Sequence, residues 1–338
     1  MLAAYPPVFA GLSMDASQEA ASALQHVEVD AGGAIMIEGE VDTTLAFIVA
    51  GSCEIWQGDT KIGTAGARDI IGEVELFARI PRIASVTASN HVTLQILDDE
   101  SYTSLCERGN PVIHAIERAA LRRISDRLRT MNNSIRSNSE GTPFALHPQR
   151  DGLLSGIVSA FMRQKKPEID AATVLAASDL FSWAPGHIVQ DISEQFEVEE
   201  FKKDAMICRQ GEDGDSMFVL ASGSVEVVLL IGKDRAESVA TLVPGQAFGD
   251  ASIALRSVRT ASCVAREDSI VMTMPRGKYM ELHGTDNDTG SIFRQGMIRN
   301  LIVQLISTTG RFVEVAGKVG TMEDEVYRGT SIDSAWRG

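Results

Sequence analysis
The chain has 338 residues, 44% hydrophobic and 23% charged, which suits a soluble globular protein with room for two or three domains, each with its own core. Its formal net charge of −15 excludes a surface that is a nucleic-acid footprint as a whole, because such a surface is basic. The cysteines Cys53, Cys106, Cys208 and Cys263 show no CxxC spacing and the six histidines are isolated, so we expect buried reduced thiols in a cytoplasmic protein, with no disulfide frame and no metal site.

At the N-terminus, Met1 to Leu12 has no basic leader and contains Pro6-Pro7, which is not a signal-peptide pattern. No apolar run reaches a membrane span; Val225 to Ile231 is among the longest and is strand-like. Ser13 to Leu24 is alanine-rich and helical, with Ser13 as N-cap. Short strands follow at Ala34 to Ile37, Leu45 to Val49 and Cys53 to Trp56, separated by Gly39-Glu40 and Ala50-Gly51. Next comes Gly72-Glu73 with Arg82 ten residues on, then a strand over Val92 to Leu97. A long helix is predicted through Val112, Ile113, Ile116, Ala120, Ile124, Leu128, Met131 and Ile135, apolar at every third or fourth place. Its other face carries Arg118, Arg122, Arg123, Arg127 and Arg129. Such a stripe invites a nucleic-acid or membrane reading, but in an acidic chain without a reading helix it is taken as the solvated side.

Ser137 to Asp151 is rich in Ser, Asn and Pro and reads as a linker. The apolar stripe from Leu153 to Met162 then suits packing between domains better than a membrane surface. Strands over Ala205 to Cys208, Met217 to Ala221, Val225 to Leu230 and Ile270 to Met274 repeat the first set, and Ser291 to Phe312 repeats the long helix. The polar end from Thr321 to Gly338 is expected to be disordered, unless Tyr327 or Trp336 docks over a pocket.

The chain is thus a duplication. Phe9 and Phe181, Gly39 and Gly211, and Gly51 and Gly223 are each 172 residues apart, whereas Gly72 and Gly249, and Arg82 and Arg259, are 177 apart. The difference places an insertion near Gly232 to Arg235, in a hairpin. Residues 1–136 and 169–315 form the two units, 137–168 a linker with an amphipathic helix, and 316–338 a tail. Short strands with glycine turns, flanked by helices, predict a mainly β, α+β protein with two barrels or jelly rolls.

The repeated Gly-acid…Arg motif carries the chemistry. An arginine fork binds two phosphate oxygens, glycine admits close backbone, and a short helix after the acid points N–H groups at an anion. The acid must then face a sugar hydroxyl or the arginine. A single such pair would read as an internal ion pair; its recurrence at one spacing favours a ligand.

Ile71 to Val86, I-G-E-V-E-L-F-A-R-I-P-R-I-A-S-V, and Phe248 to Cys263, F-G-D-A-S-I-A-L-R-S-V-R-T-A-S-C, resemble the phosphate-binding cassette of the cyclic nucleotide-binding domain family, F-G-E-L-A-L-x-x-x-x-P-R-A/T-A-T/S-V. The resemblance covers most of both copies. In tandem they resemble the regulatory subunits of cyclic-nucleotide-dependent protein kinases, without an inhibitory Arg-Arg segment, a kinase signature or a DNA-binding domain. It implies two β-rolls, a cyclic mononucleotide (cAMP or cGMP) as ligand, a protein effector and no catalysis; a homodimer is allowed. Arg82 and Arg259 would hold the cyclic phosphate, Glu73 and Asp250 the ribose 2′-OH. Gly72 and Gly249 would open the cassettes, and backbone amides of Val74, Glu75, Ile83 and Ala84, and of Ala251, Ser252, Thr260 and Ala261, would complete the cradles. Thr260 permits cGMP without excluding cAMP, and Ile83 leaves base choice open. Phe144, Trp183, Phe312 and Tyr327 are candidates to cap the base.

The departures from the family pattern define a competing expectation, an interaction scaffold whose pockets bind no cyclic nucleotide or a different ligand. Glu75 stands where the family has a small residue, Asp250 is one methylene short, Ile71 replaces Phe and Val258 replaces Pro.

Overall fold
The computed structural model describes residues 6–139, 142–143, 169–231 and 235–329. The sequence stretches at 144–168 and 330–338, and with them Phe144, the Leu153 to Met162 stripe and Trp336, lie outside the described residues.

After a 3-10 turn at Pro7–Phe9 come α1 (Met14–Ser22), β1 (Gln25–Val29), β2 (Ala34–Met36), β3 (Leu45–Ala50), β4 (Ser52–Gln57), β5 (Thr60–Gly66) and β6 (Ile70–Ile71). The cassette helix α2 (Glu73–Ala78), β7 (Ser85–Ala88), β8 (Val92–Leu97), α3 (Asp99–Glu107) and α4 (Val112–Asn138) complete the first unit. The second has β9 (Thr142–Pro143), α5 (Ala171–Ala177), α6 (Gly186–Ser193), β10 (Glu197–Phe201), β11 (Met206–Cys208), β12 (Ser216–Ser222), β13 (Val225–Ile231), β14 (Arg235–Leu242) and β15 (Ala247–Phe248). It ends with α7 (Asp250–Ala254), β16 (Ser262–Ala265), β17 (Ser269–Pro275), α8 (Arg276–Gly284) and α9 (Asp288–Gly329).

Each unit is a β-roll of two antiparallel sheets with the same strand order. The first has β1-β8-β3-β6 over β2-β7-β4-β5; the second has β10-β17-β12-β15 over β11-β16-β13-β14, to which β9 adds an edge. The cassette helix leaves the short strand β6 or β15, and the arginine returns just before β7 or β16. Ser13 caps α1 as expected, accepting from the Ala16 amide at 3.2 Å. The inserted residues fall between β13 and β14, whose hairpin closes with Ile231 opposite Arg235.

The two units share one apolar core. Ile116, Ala120, Ile124, Leu128 and Met131 of α4 and Phe293, Met297, Leu301 and Leu305 of α9 belong to it together with both sheets of the first unit and the β10-β17-β12-β15 sheet of the second. Each helix start is fixed by an asparagine side chain: Asn110 Oδ1 accepts from the Val112 amide and Asn287 Oδ1 from the Gly290 amide, both at 2.9 Å. Across the helix pair, Arg294 Nε donates to Glu117 at 2.8 Å with both side chains fully buried. Ser291 and Gln295 also donate to Glu117, and His114 lies 2.8 Å from the Arg294 Nη2.

Two expectations change. The arginine face of α4 is not simply solvated: Arg118 meets Asp286, Arg123 meets Asp69 and the Thr64 carbonyl, and Arg127 meets Glu73. These acids lie far off in sequence, so periodicity could not reveal them. The last helix also runs on to Gly329, through the start of a stretch taken as disordered. Of the four cysteines expected to be buried, Cys53, Cys208 and Cys263 are, whereas Cys106 lies exposed on α3, whose buried side is only Tyr102 and Leu105. Among the described residues no helix is long and apolar enough to cross a membrane, and no cluster of His, Cys, Asp and Glu could hold a metal ion.

Candidate functional site
Both cassettes begin on a glycine in the left-handed region, Gly72 at φ +87° and Gly249 at φ +78°. A Cβ on Gly72 would lie 2.3 Å from the Thr44 carbonyl oxygen, and one on Gly249 would lie 2.6 Å from an Arg259 nitrogen. Glycine is needed to turn the chain and to admit the arginine against the backbone. Arg82 is 2% exposed and Arg259 4%.

In the first cassette the arginine is surrounded by acceptors of its own chain. Arg82 Nη1 donates to Glu75 Oε2 at 3.0 Å, and Nη2 to Asp42 Oδ2 at 2.6 Å, the Thr44 carbonyl at 2.8 Å and Thr44 Oγ1 at 2.9 Å. The second oxygen of Glu75 accepts from the Ile83 amide at 3.1 Å. The Glu75 carboxylate therefore takes one fork nitrogen and one backbone amide, the donor types that suit a phosphate. Burial alone would raise Asp42, but the bonds from Arg82 and Thr44 outweigh it and hold the carboxyl below its ordinary range. Glu73 faces away from Arg82 and pairs with Arg127 of α4 at 3.2 Å. Gly72, Glu73, Val74, Glu75, Arg82, Ile83 and Ala84 line a common cavity, which holds only about 20 Å³.

The second cassette has the same frame and a different charge. Arg259 Nη1 donates to the Gly249 carbonyl at 2.7 Å and to Ser252 Oγ at 3.0 Å; Nη2 lies 3.2 Å from both Asp215 Oδ1 and Ser216 Oγ. Asp215 is 81% exposed at its side chain, so water screens it. No carboxylate stands where Glu75 stands: Ser252, 177 residues on, takes its place. Arg259 also lies over the Phe218 ring, 5.3 Å from its centre, and Phe218 stacks on Phe248. Gly249, Ala251, Ser252, Arg259, Thr260 and Ala261 line a cavity of about 80 Å³.

Asp250 is not part of that lining; it is fully buried beside it. Its Oδ2 accepts from Asn300 of α9 at 3.4 Å, while Oδ1 has no hydrogen-bond partner. Burial pushes the Asp250 carboxyl above its ordinary range, and its own backbone amide, Asn300, Gln304 and the Ala251 amide offset only part of that. A buried acceptor without a donor is costly to the folded state.

Several site residues escaped the sequence reading. Asp42 with Thr44, and Asp215 with Ser216, hold the far side of each arginine; the recurrence of an acid shortly after Gly39 and Gly211 was the available signal. Leu128 and Asn132 of α4, and Gln304 and Thr308 of α9, wall the second cavity, while Arg123 and Arg127 of α4 wall the first. A polar Asn132 between Leu128 and Ile135 interrupts the apolar stripe and marks the place. Trp183 and Phe312, expected as base caps, line neither cavity; Trp183 instead packs against Arg299, 4.3 Å from its ring centre.

Comparison with known proteins places the frame. The model for the cyclic nucleotide-binding domain matches residues 26–109 and 198–286, together more than half of the chain. The chain belongs to the cyclic nucleotide-binding domain family, with two domains in tandem. It is 22% identical over 272 residues to human cGMP-dependent protein kinase 2, covering 80% of this chain and 28% of that protein. It is 22% identical over 277 residues to the cAMP-dependent protein kinase regulatory subunit of Yarrowia lipolytica, covering 82% of this chain and 59% of that protein. The chain thus spans under a third of the first of these relatives and under two thirds of the second. Among solved structures it is similar to the regulatory domain of Toxoplasma gondii PKA with cAMP, at 17% identity and a TM-score of 0.32, covering 82% of this chain and 88% of that one.

Proposed function
We propose that this protein is a cytoplasmic, non-enzymatic receptor for a cyclic mononucleotide, cAMP or cGMP, and that the Arg259 site takes the ligand. The carrying observation is the contrast around the two arginines. Arg259 shares its fork with a serine hydroxyl and a solvent-exposed acid, whereas Arg82 is neutralised by the buried Glu75 and by Asp42. The cyclic phosphate replaces the Ser252 and Asp215 contacts on Arg259, and the ribose hydroxyl donates to the unpaired Asp250 oxygen.

The second cavity, about 80 Å³, is smaller than the roughly 300 Å³ or more of a typical small-molecule site, so a nucleotide must displace side chains of α4 or α9. Since those helices form the contact between the two domains, ligand and domain packing are linked, and a partner protein reads the change. Such a switch requires that the ligand prefer one helix arrangement over the other. The kinase regulatory subunit and cyclic-nucleotide-dependent kinase among the relatives support a protein effector.

Thermal unfolding with and without each nucleotide tests this reading. A ligand at one hundred times its Kd stabilises the folded state by about 2.7 kcal/mol. No shift with either nucleotide at millimolar concentration would reject it. The scaffold reading is favoured for the first cassette alone, where Glu75 occupies Arg82.

A further inference from the structure
Asn132 belongs to α4, the helix that closes the first domain, yet it lines the cavity of the second. It is 8% exposed. Its Nδ2 lies 3.3 Å from Oγ1 of Thr260, the residue that follows the phosphate-site arginine. Its Oδ1 is buried with no hydrogen-bond partner. One end of the carboxamide is therefore bonded, and the other is an unmet acceptor on a residue that lines the cavity. Native proteins leave few buried polar atoms unmet, and one that lies on a residue lining a cavity is explained by a bound group that supplies the donor. The wall mixes apolar side chains (Leu128, Val227, Val239, Leu242) with the polar Gln304 and Thr308, and none of them bonds to Oδ1.

Resting on the reading that a cyclic nucleotide occupies the Arg259 site, we propose that Asn132 reads the base. Its Oδ1 accepts an N–H from the hydrogen-bonding edge of the purine, beside Thr260. Both common purines carry such a donor: adenine its 6-amino group, guanine its ring N1–H and 2-amino group. A purine without any N–H on that edge leaves Oδ1 unmet and binds more weakly. Specificity of this kind comes from the penalty on the ligand that fails to pair, rather than from added attraction to the one that does.

The placement has a second consequence. Arg127, five residues before Asn132 on α4, holds Glu73 in the first cassette. The base in the second site is thus read by the same helix that is tied to the first site, which makes the first domain part of the second domain's ligand contact.

The test uses the full chain and three ligands: cAMP, cGMP and the 3′,5′-cyclic monophosphate of unsubstituted purine riboside, which has no N–H on the base edge. For the wild-type protein, at least one of cAMP and cGMP should bind about tenfold more tightly than the unsubstituted purine nucleotide. Asn132→Leu should bring that ratio close to one, while Asn132→Asp, which keeps an acceptor, should retain it. A ratio unchanged in Asn132→Leu overturns the assignment, as does a wild-type protein that binds all three equally. If none of the three binds the wild-type chain, the receptor reading itself has failed, and this result is distinguishable from the other two. Because the readout is a ratio between ligands, a general loss of stability in the variant does not mimic it.

Discussion
Glu75 and Ser252 stand at the same place in the two cassettes, and each meets its arginine at 3.0 Å. The glutamate brings a charge and a second oxygen that also takes the Ile83 amide; the serine brings neither. On the receptor reading proposed above, a carboxylate beside the arginine neutralises it and repels an anionic ligand, and this pair of residues sets which cassette is open.

Glu75→Ser should therefore give the first cassette the acceptor set of the second. Calorimetric titration with a cyclic nucleotide should find two ligands per chain in the variant and one in the wild type. Without ligand the variant should lose about 1 kcal/mol, because the half-buried Ile83 amide loses its carboxylate acceptor. A variant that still binds one ligand would show that Glu75 is not what closes the site.

Between α4 and α9, Glu117 and Arg294 form a fully buried ion pair. Burial acts to raise the Glu117 carboxyl, but bonds from His114, Arg294, Ser291 and Gln295 hold it below its ordinary range. Glu117→Gln leaves Arg294 charged and buried without its partner, and should cost about 3–5 kcal/mol in denaturant unfolding. The loss should be felt in both domains, since the helices carry the shared core.

His283 has a pKa lowered to about 4, by burial first and then by Arg294, Arg118, Arg122 and Arg256. Its unfolded value is near 6.5, so the unfolded chain binds the proton more readily. The stability it contributes is complete above pH 6.5 and is lost as pH falls toward 4. His283→Gln should flatten the pH dependence of the melting temperature in that window and change little above it.

Asp250 behaves in the opposite sense. Its raised folded-state pKa means that its contribution is present at low pH and lost as pH rises through that value. Asp250→Asn should stabilise the unliganded protein at neutral pH while weakening nucleotide binding about tenfold, because its one remaining oxygen stays with Asn300 and an NH2 group replaces the oxygen offered to the ribose hydroxyl. Melting temperature and affinity moving in the same direction would contradict this.

Much of the fold was legible because duplication doubles the signal. Gly72 and Gly249, with Arg82 and Arg259 at one spacing, mark both cassettes, and a Cβ at either glycine would collide with the Thr44 carbonyl or with Arg259. The strand at Thr60–Gly66 was not legible: T-K-I-G-T-A-G has two glycines and few β-formers, and it is held by pairing with β4. The helix α3 was missed for a similar reason, having only Tyr102 and Leu105 buried on a polar background. Within the site, sequence alone suggested that Glu75 was out of place, but not that it binds Arg82 and Ile83 together. Asn132 and Arg127 could not be assigned at all, because helix periodicity fixes a face and not the neighbour that the face meets.

The most direct test of the receptor account is calorimetric titration of the full chain with cAMP and with cGMP, repeated on Arg259→Ala after circular dichroism has shown it folded. The account predicts saturable binding of one nucleotide per chain in the wild-type protein and none detectable in Arg259→Ala. Undiminished binding by Arg259→Ala, or no binding of either nucleotide by the wild-type chain, would contradict it.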